Sequence, residues 1–288
     1  MKKINQKHKD RVFKFIFGRN KAWALSLYNA INGSNYTDPE AIEFNTIEDI
    51  LYIGMHNDVS FLVYCFMQMW EQQSTFNPNM PIRYLLHSAQ LYDKYMLEHN
   101  CYRYGKKLIK LPCPKCICFY NGTEKQPEEM ILSLSDAFIK GEPDIEVKVR
   151  MLNINYGKNK KLMESCKPLF EYSWLVENIR QGDKNIEKAI DKALNEMPDN
   201  FEIKKFLLAH KAEVKGMFLT EYNEEKILAQ ERQEGRQEGL EEGIIKANER
   251  VATDMLKKHL PISLIEEISK LSEDVIRSMA LKLGLSVC

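Results

Sequence analysis

The sequence predicts a mixed α/β fold that continues into a helical C-terminal part. Segments in which apolar residues recur with the period of a β-strand fall between residues 42 and 151. Apolar residues with helical spacing precede these segments and dominate after residue 162. Helices that precede, interrupt and follow a set of strands are typical of a sheet flanked by helices.

The composition is that of an ordinary soluble globular protein. The chain has 288 residues, 44% of them hydrophobic and 28% charged, which is enough for one large or two smaller cores. No run reaches the roughly 18 apolar residues of a membrane span, and the N-terminus lacks the apolar stretch of a signal peptide. We therefore expect a cytoplasmic protein without a membrane partner.

The formal net charge is zero, which argues against a generic polyanion binder, but the basic residues are unevenly distributed. Residues 2–21 contain eight basic side chains and one acidic side chain, Asp10. A second basic group follows in the middle of the chain and consists of Arg103, Lys106, Lys107 and Lys110. Such patches can contact phosphates. A solvated helix face and a frayed terminus also explain them.

The N-terminal half is predicted to begin with a helix and to continue into strands. Residues 9–31 have apolar side chains at helical spacing and end at Asn32-Gly33, which predicts the first helix. Extended runs follow, and a turn at Tyr64-Cys65 between the last two predicts a β-hairpin. The strands predicted in this half are residues 42–44, 51–53, 58–63 and 66–73.

The middle of the chain is predicted to hold one helix, two more strands and then a series of helices. Residues 77–81 contain an N-cap candidate and a proline suited to the first turn of a helix. Its expected buried stripe consists of Ile82, Leu85, Leu86 and Ala89. Residues 145–151 alternate apolar and charged side chains, so this strand is expected to have one wet face. The other predicted elements are a strand at residues 115–120 and helices at 168–180, 186–194 and 201–219.

The C-terminal part begins with a charged repeat that carries Gly235, Gly239 and Gly243 at intervals of four residues. Each glycine inside a helix costs about 1 kcal/mol relative to alanine, so an isolated helix here should be marginal. Packing of a second copy on the glycine face would compensate, and we expect a homodimer formed through the C-terminal helices. Two short helices with Ser263 and Ser272 as N-caps follow, as either a docking element or the start of a helix-turn-helix.

Two carboxylates in the predicted hairpin provide the strongest functional signal. Asp58 lies near the start of the first strand and Glu71 near the end of the second, so pairing of the strands would bring them side by side. Hard cations such as Mg²⁺ bind carboxylates together with water. Gln73 shares a strand face with Glu71. His56 has the reach to be a ligand, but it is more simply explained as a bystander or hydrogen-bond donor.

The seven cysteines do not form a convincing zinc site. Cys113, Cys116 and Cys118 have the spacing of half such a site, but a second pair is missing. We interpret them as reduced cysteines of the core.

Several segments of the sequence resemble the recombination-promoting nuclease (Rpn) and transposase family, a branch of the PD-(D/E)XK phosphodiesterases. The resemblance extends over nearly the whole chain, and the order and spacing of its segments are specific. It includes residues 10–15, 57–61, 71–75, 79–83, 110–112 and 119–122 and the glutamate-glycine repeat after Glu234.

The resemblance implies a restriction-endonuclease-like mixed sheet core flanked by helices, with an all-helical C-terminal extension. The core would occupy residues 1–160 and a helical annex residues 161–223, followed by the charged helix and short helices of residues 224–288. The implied activity is that of a Mg²⁺- or Mn²⁺-dependent DNA endonuclease that promotes recombination or transposition.

The resemblance also assigns roles to individual residues. Asp58 and Glu71 would hold the metal, and Gln73 would complete the catalytic set where the wider superfamily has lysine. Asp10 would be a further metal ligand or a surface cap, and Lys14 would contact DNA. Arg83 would bind a DNA phosphate or form an ion pair with Glu71. The alternative is a catalytically weak or inactive nuclease fold that serves as a DNA-binding or protein-interaction module.

Overall fold

The computed structural model describes residues 12–44 and 59–285. They form an α/β protein in which a six-stranded mixed sheet is flanked by helices and followed by a helical C-terminal part. Its internal contacts divide the chain into two compact units, residues 1–223 and residues 224–288. Within the described residues, no helix has both the length and the apolar character needed to cross a membrane.

The sheet belongs to the first unit, and its strands lie in the order β1-β2-β3-β4-β6-β5. β2 runs antiparallel to its neighbours β1 and β3, β3 runs parallel to β4, β4 runs parallel to β6, and β5 is an antiparallel edge strand. The strands are β1 (Ile42–Phe44), β2 (Val59–Val63), β3 (Phe66–Gln73), β4 (Cys113–Tyr120), β5 (Glu129–Ser133) and β6 (Lys148–Asn153).

The predicted hairpin is confirmed, because β2 and β3 pair antiparallel on either side of the turn at Tyr64-Cys65. Tyr64 has a φ of 53°, the left-handed conformation that a two-residue turn requires. The same residue pairs place Val59 opposite Trp70. Seven of the eight β3 residues are buried, so β3 is a central strand covered on both faces.

The helices of the chain cover both faces of the sheet and form the C-terminal part. Those of the first half are α1 (Val12–Phe17), α2 (Lys21–Asn32) and α3 (Met80–Glu98). Those that follow the sheet are α4 (Lys160–Ser165), α5 (Lys167–Arg180), α6 (Ile186–Glu196), α7 (Lys204–Ala209), α8 (Lys211–Lys257), α9 (Ile262–Ser269) and α10 (Glu273–Lys282). The boundary between the two compact units falls within α8.

The two faces of the sheet have separate hydrophobic cores. On one face, α1, α2 and α5 cover side chains that include Phe61, Trp70 and Phe119. Trp70 contacts both phenylalanine rings edge-on, with ring centroids 4.7 Å and 5.7 Å apart. On the other face, Met80 and Tyr84 of α3 pack with side chains of β3, β4 and β6. The sheet is therefore the middle layer of three.

Several predictions about helices are wrong. The single helix predicted at residues 201–219 is divided at His210 into α7 and α8. The first helix is interrupted after Phe17, and a second one begins at Lys21, where the Asn20 side chain accepts a hydrogen bond from the Trp23 backbone N–H at 3.0 Å. It ends where predicted, since Gly33 has a φ of 64°. The predicted stripe of α3 is also wrong, since Ile82 and Leu86 are 40% and 41% exposed. The buried side of α3 consists of Met80, Pro81, Tyr84, His87 and Leu91.

The predicted strands within the described residues are present, but some begin or end at other residues, and one strand of the sheet was not predicted. β6 begins at Lys148, three residues later than predicted, and Leu152 is buried on the face expected to be wet. β5, at the sheet edge, is absent from the predicted strands, because Glu129–Ser133 has no marked alternation. The predicted strand at residues 51–53 lies outside the described residues.

The second unit has a small core of its own. Ala252, Met255 and Leu256 from the end of α8 pack with α9 and α10, as the two predicted short helices require. α9 begins after Pro261, so Ser263 is not its N-cap, whereas Ser272 does hold that position in α10, without a side-chain hydrogen bond to the helix. Gly235, Gly239 and Gly243 lie within α8, and an added Cβ at any of the three would meet no atom within 4 Å.

Candidate active site

Glu71 is a buried carboxylate near the C-terminal end of the central strand. The residue is 1% exposed. Side chains alternate along β3, so Glu71 and Gln73 share the face that carries Met67 and Met69, beneath α3. Gln73 is the last residue of β3 and is 8% exposed. The sequence therefore brings an acidic and an amide side chain to the same end of the same buried face, as predicted.

Arg83 from the first turn of α3 reaches this face and forms an ion pair with Glu71. Its Nη2 donates to Glu71 Oε1, and the arginine side chain remains 27% exposed while that of Glu71 is only 2% exposed. A buried carboxylate needs such a partner, because transfer of an unpaired charge out of water is costly. Of the two roles expected for Arg83, the structure contains the ion pair.

The opposite face of the same strand end carries a network of neutral polar groups. Gln72 Nε2 donates to Asn121 Oδ1 at 2.5 Å, and Asn121 Nδ2 donates to the Tyr172 hydroxyl at 3.1 Å. Gln72, Asn121 and Tyr172 are all buried. The network joins β3, the residue that follows β4, and α5, so it holds this helix against the ends of two parallel strands.

The backbone around this strand end is tightly packed. Asn121 N donates to the Gln73 carbonyl at 3.0 Å, which extends the β3–β4 ladder by one bond. A Cβ on Gly122 would lie 2.1 Å from the Ser74 carbonyl oxygen and 2.6 Å from the Tyr120 hydroxyl. Only glycine fits there without movement of the backbone. The end of β3 that carries Glu71 and Gln73 is therefore fixed from both sides.

The other residues predicted for the site are not all within reach of Glu71. Asp58, Asp10 and His56 lie outside the described residues. Lys14 lies on α1, whose Phe13 contacts Phe119 on the sheet face opposite to Glu71, at 4.8 Å between ring centroids. The fold thus brings together Glu71, Gln73 and Arg83, whereas the helix of Lys14 is on the other side of the sheet.

The described residues offer a partial set of ligands for a hard cation. A carboxylate and an amide oxygen source on one strand face are the donor types that Mg²⁺ and Mn²⁺ take. Within residues 12–44 and 59–285, no three histidine, cysteine, aspartate or glutamate side chains are grouped closely enough to bind a metal. Glu71 would therefore need a ligand from elsewhere, and any cation would share its carboxylate with Arg83.

The cysteines near the start of β4 differ in exposure. Cys118 is buried and Cys116 half-buried on the same core, whereas Cys113 is exposed, so the interpretation as core cysteines is wrong for Cys113. Burial is the main cause that raises the pKa of the Cys116 thiol to about 12. A thiol that resists deprotonation to this extent is a poor zinc ligand.

The amide network is a feature that sequence reasoning missed. Asn121 is 49 residues from Gln72 along the chain, and Tyr172 is a further 51 residues away. Taken locally, the Asn121-Gly122 pair indicates only the end of a strand. A polar residue directly before a glycine at the end of a buried strand was the available signal, but its partners depend on the tertiary fold.

The chain was compared with known proteins in three ways. It matches no protein-family model, and neither the curated proteins nor the solved structures contain a significant match. The case for a function therefore depends on the residues and their geometry.

Proposed function

We propose that this protein is a Mg²⁺- or Mn²⁺-dependent DNA endonuclease of the PD-(D/E)XK type, with a restriction-endonuclease-like core, which promotes recombination or transposition. The observation that carries the proposal is the hairpin pairing. Val59 is opposite Trp70 in the sheet, and the chain neighbours of these two residues are Asp58 and Glu71. One carboxylate residue thus lies within β3, and the other directly precedes β2 in the sequence.

In this proposal Asp58 and Glu71 are the metal ligands, and Asp10 is a candidate third one. The bound metal would polarise the scissile phosphate and lower the pKa of an attacking water. The burial of Glu71 keeps its carboxylate in one position and limits the water around it, which strengthens its attraction for a cation. The packing around Gly122 keeps the strand end from shifting.

Gln73 would orient the attacking water or a phosphate oxygen through its amide. It carries no charge and cannot act as a base, so more of the activation falls on the metal than in sites with a lysine. Loss of a positioned acid or base typically costs roughly 10²–10⁴-fold in rate. We therefore expect slow cleavage.

Arg83 and Lys14 are the proposed DNA contacts. Arg83 is 27% exposed at its side chain, so part of the guanidinium can meet a phosphate while Nη2 remains on Glu71. Lys14 is half-buried on α1, on the other side of the sheet, and is the weaker candidate.

The test is cleavage of supercoiled plasmid by the full chain. We expect nicking or linearisation with Mg²⁺ or Mn²⁺, none with EDTA, and none by Asp58→Ala or Glu71→Ala proteins with the circular dichroism of the wild type. Lys160→Ala on α4 is a matched surface control, because its side chain is 87% exposed. Unchanged cleavage by Asp58→Ala would exclude the proposed site.

A second candidate function is that of a catalytically inactive nuclease fold that binds DNA or protein. The ion pair with Arg83 favours it, because that contact already neutralises Glu71 without a metal. The two candidates differ in divalent-metal binding. An inactive fold would bind Mn²⁺ no more tightly than its Glu71→Gln variant.

We also propose that the chain forms a homodimer through its C-terminal helices. The glycine face of α8 is open, and Leu240, Ile244 and Val251 on the same helix are 64%, 53% and 40% exposed. Two copies would let a nuclease with one site per chain address both DNA strands. Sedimentation of the full chain beside a form that ends at Tyr222 tests this. The same oligomeric state in the two forms would exclude these helices as the contact.

A further inference from the structure

The segment between α3 and β4 presents two tyrosines on an ordered turn. The Gly105 N–H donates to the Tyr102 carbonyl at 2.9 Å, which closes a four-residue turn. Tyr102 and Tyr104 are 71% and 80% exposed, more than any other tyrosine, phenylalanine or tryptophan in the described part of the chain. Their rings meet edge-on with centroids 5.8 Å apart. Aromatic faces are thus held in water rather than buried.

The same segment is strongly basic. No acidic residue occurs between Glu98 and Glu124. Arg103 pairs with Asp93 of α3, which anchors the turn to that helix. Lys106, Lys107 and Lys110 are exposed, and none of them forms an ion pair with any of residues 12–44 or 59–285. Three cationic side chains therefore remain available to an anionic partner.

A cavity of about 500 Å³ adjoins the segment. Lys110 forms part of its wall, together with Tyr64 of the hairpin turn and Glu43 of β1. Tyr95 and His99 line it as well, with their rings stacked 4.0 Å apart. This volume lies in the range of small-molecule sites. Such a space can admit a planar heterocycle beside the stacked pair, with the Glu43 carboxylate as a hydrogen-bond acceptor.

We propose that residues 102–111 and the adjoining cavity bind single-stranded nucleic acid. Unpaired bases stack on exposed aromatic rings irrespective of sequence, and lysines beside them contact the phosphates. Glu43 is an acceptor for the amino group of a base that enters the cavity. Bases in a duplex have no free faces for the two tyrosines. A membrane surface would also attract lysines and tyrosines, but it has no planar rings that could stack on the two tyrosines.

This surface is separate from the proposed metal site. β4 begins at Cys113, which pairs with Phe66 at the start of β3, and Glu71 lies five residues further along that strand. At a rise of about 3.3 Å per residue, Glu71 is about 17 Å from the start of β3, where Cys113 follows the surface segment. The proposal therefore goes beyond the endonuclease and would hold for a chain that does not cleave.

The experiment is fluorescence anisotropy of the full chain with a labelled single-stranded oligonucleotide of about 12 nucleotides, a length within the range of known single-strand sites. EDTA is present to prevent cleavage. We expect Tyr102→Ala/Tyr104→Ala to weaken binding by about tenfold or more, because each base stack is lost with its ring. Tyr102→Phe/Tyr104→Phe keeps the rings and should bind like the wild type.

The lysines are tested through salt dependence. Lys106→Ala/Lys107→Ala should make the slope of log K against log salt shallower by about 1.4, because each phosphate contact on a single strand contributes about 0.7. Lys160→Ala/Lys161→Ala, an adjacent exposed pair on α4, is the matched control and should leave the slope unchanged.

Three outcomes would contradict the proposal that this surface binds single-stranded nucleic acid. They are wild-type affinity in Tyr102→Ala/Tyr104→Ala, an equal loss in Glu71→Gln, and binding to vesicles of anionic phospholipid without binding to the oligonucleotide. Retained oligonucleotide binding in a protein that never cleaves plasmid would contradict the endonuclease and support this surface, so the two proposals fail separately.

Discussion

The two faces of β3 carry buried polar side chains at the same strand end but stabilise them differently. On the α3 face, Glu71 is charged and has a partly exposed arginine as its partner. On the α5 face, Gln72, Asn121 and Tyr172 are neutral and form a buried chain of hydrogen bonds. The neutral groups form their hydrogen bonds with one another, whereas the Glu71 carboxylate needs a cation to balance its charge.

The polar groups of the two faces are suited to different tasks, stability on the α5 face and chemistry on the α3 face. Neutral amides and hydroxyls that bond to one another fix the position of elements and need no external partner. A buried carboxylate whose cationic partner lies at the protein surface can exchange that partner for a metal ion, or it can bind both. We therefore assign the α5 face to stability and the α3 face to function, and four substitutions test the assignment.

Glu71→Gln should have the largest effect. The amide keeps the shape of the side chain but removes the charge that holds a cation. We expect cleavage to fall by at least about 100-fold, within the range for loss of a catalytic group. Plasmid cleavage at matched protein concentrations measures it. Cleavage within a few-fold of the wild-type rate is too small a loss for a catalytic group and would remove the α3 face from the mechanism.

Arg83→Met should have the next largest effect, and its main effect should be on stability. Removal of one partner from a buried ion pair costs about 3–5 kcal/mol, and we expect roughly 3 kcal/mol because the guanidinium is partly exposed. Mn²⁺ should raise the melting temperature of this variant more than that of the wild type, because the metal replaces the missing cation. Equal Mn²⁺ shifts in the two proteins would contradict replacement of the Arg83 cation by a metal at Glu71.

Asn121→Ala should destabilise the fold without a specific effect on catalysis. It removes the acceptor of the Gln72 amide hydrogen bond and the donor to the Tyr172 hydroxyl, at a cost of about 1–3 kcal/mol. Urea unfolding measures the loss, and cleavage per folded molecule should stay at the wild-type level. A selective loss of cleavage in a fully folded Asn121→Ala protein would show that both faces contribute to the site.

Gln73→Lys should have the smallest effect. Under the proposed function, lysine would supply the charge that PD-(D/E)XK sites place beside the attacking water, so we expect cleavage to be retained or raised. The same charge can repel the metal. A Mn²⁺ titration beside the cleavage assay separates these effects, and loss of both would mean that the amide is adapted to this site.

The hairpin and the strand face of Glu71 could be predicted because period-two alternation and a two-residue turn are local signals. The break between α1 and α2 was also encoded locally, in Gly18 and the capping Asn20, but the continuous apolar spacing across residues 9–31 obscured it. The buried stripe of α3 could not be found from aliphatic residues alone. Tyr84 packs in the core beneath α3, and its hydroxyl can be buried there because it donates to the Ile117 carbonyl on another element at 2.6 Å.

The candidate site could be predicted only residue by residue. The residue types at Glu71, Gln73 and Arg83 indicated a candidate site, but the ion pair depends on how α3 packs over β3. The amide network spans three elements that are distant in sequence, and no local pattern indicates such contacts. Periodicity therefore predicts which face a side chain takes, and tertiary packing decides which partner it meets there.

Calorimetric titration of Mn²⁺ into the wild-type protein and into Glu71→Gln tests the central claim most directly, because it measures the metal at the α3 face without reference to DNA. The account predicts saturable binding by the wild type, with little or no binding by Glu71→Gln at the same concentrations. Asn121→Ala, on the other face, should bind like the wild type. Equal Mn²⁺ affinity in the wild type and Glu71→Gln would contradict the assignment of the α3 face to metal-dependent chemistry.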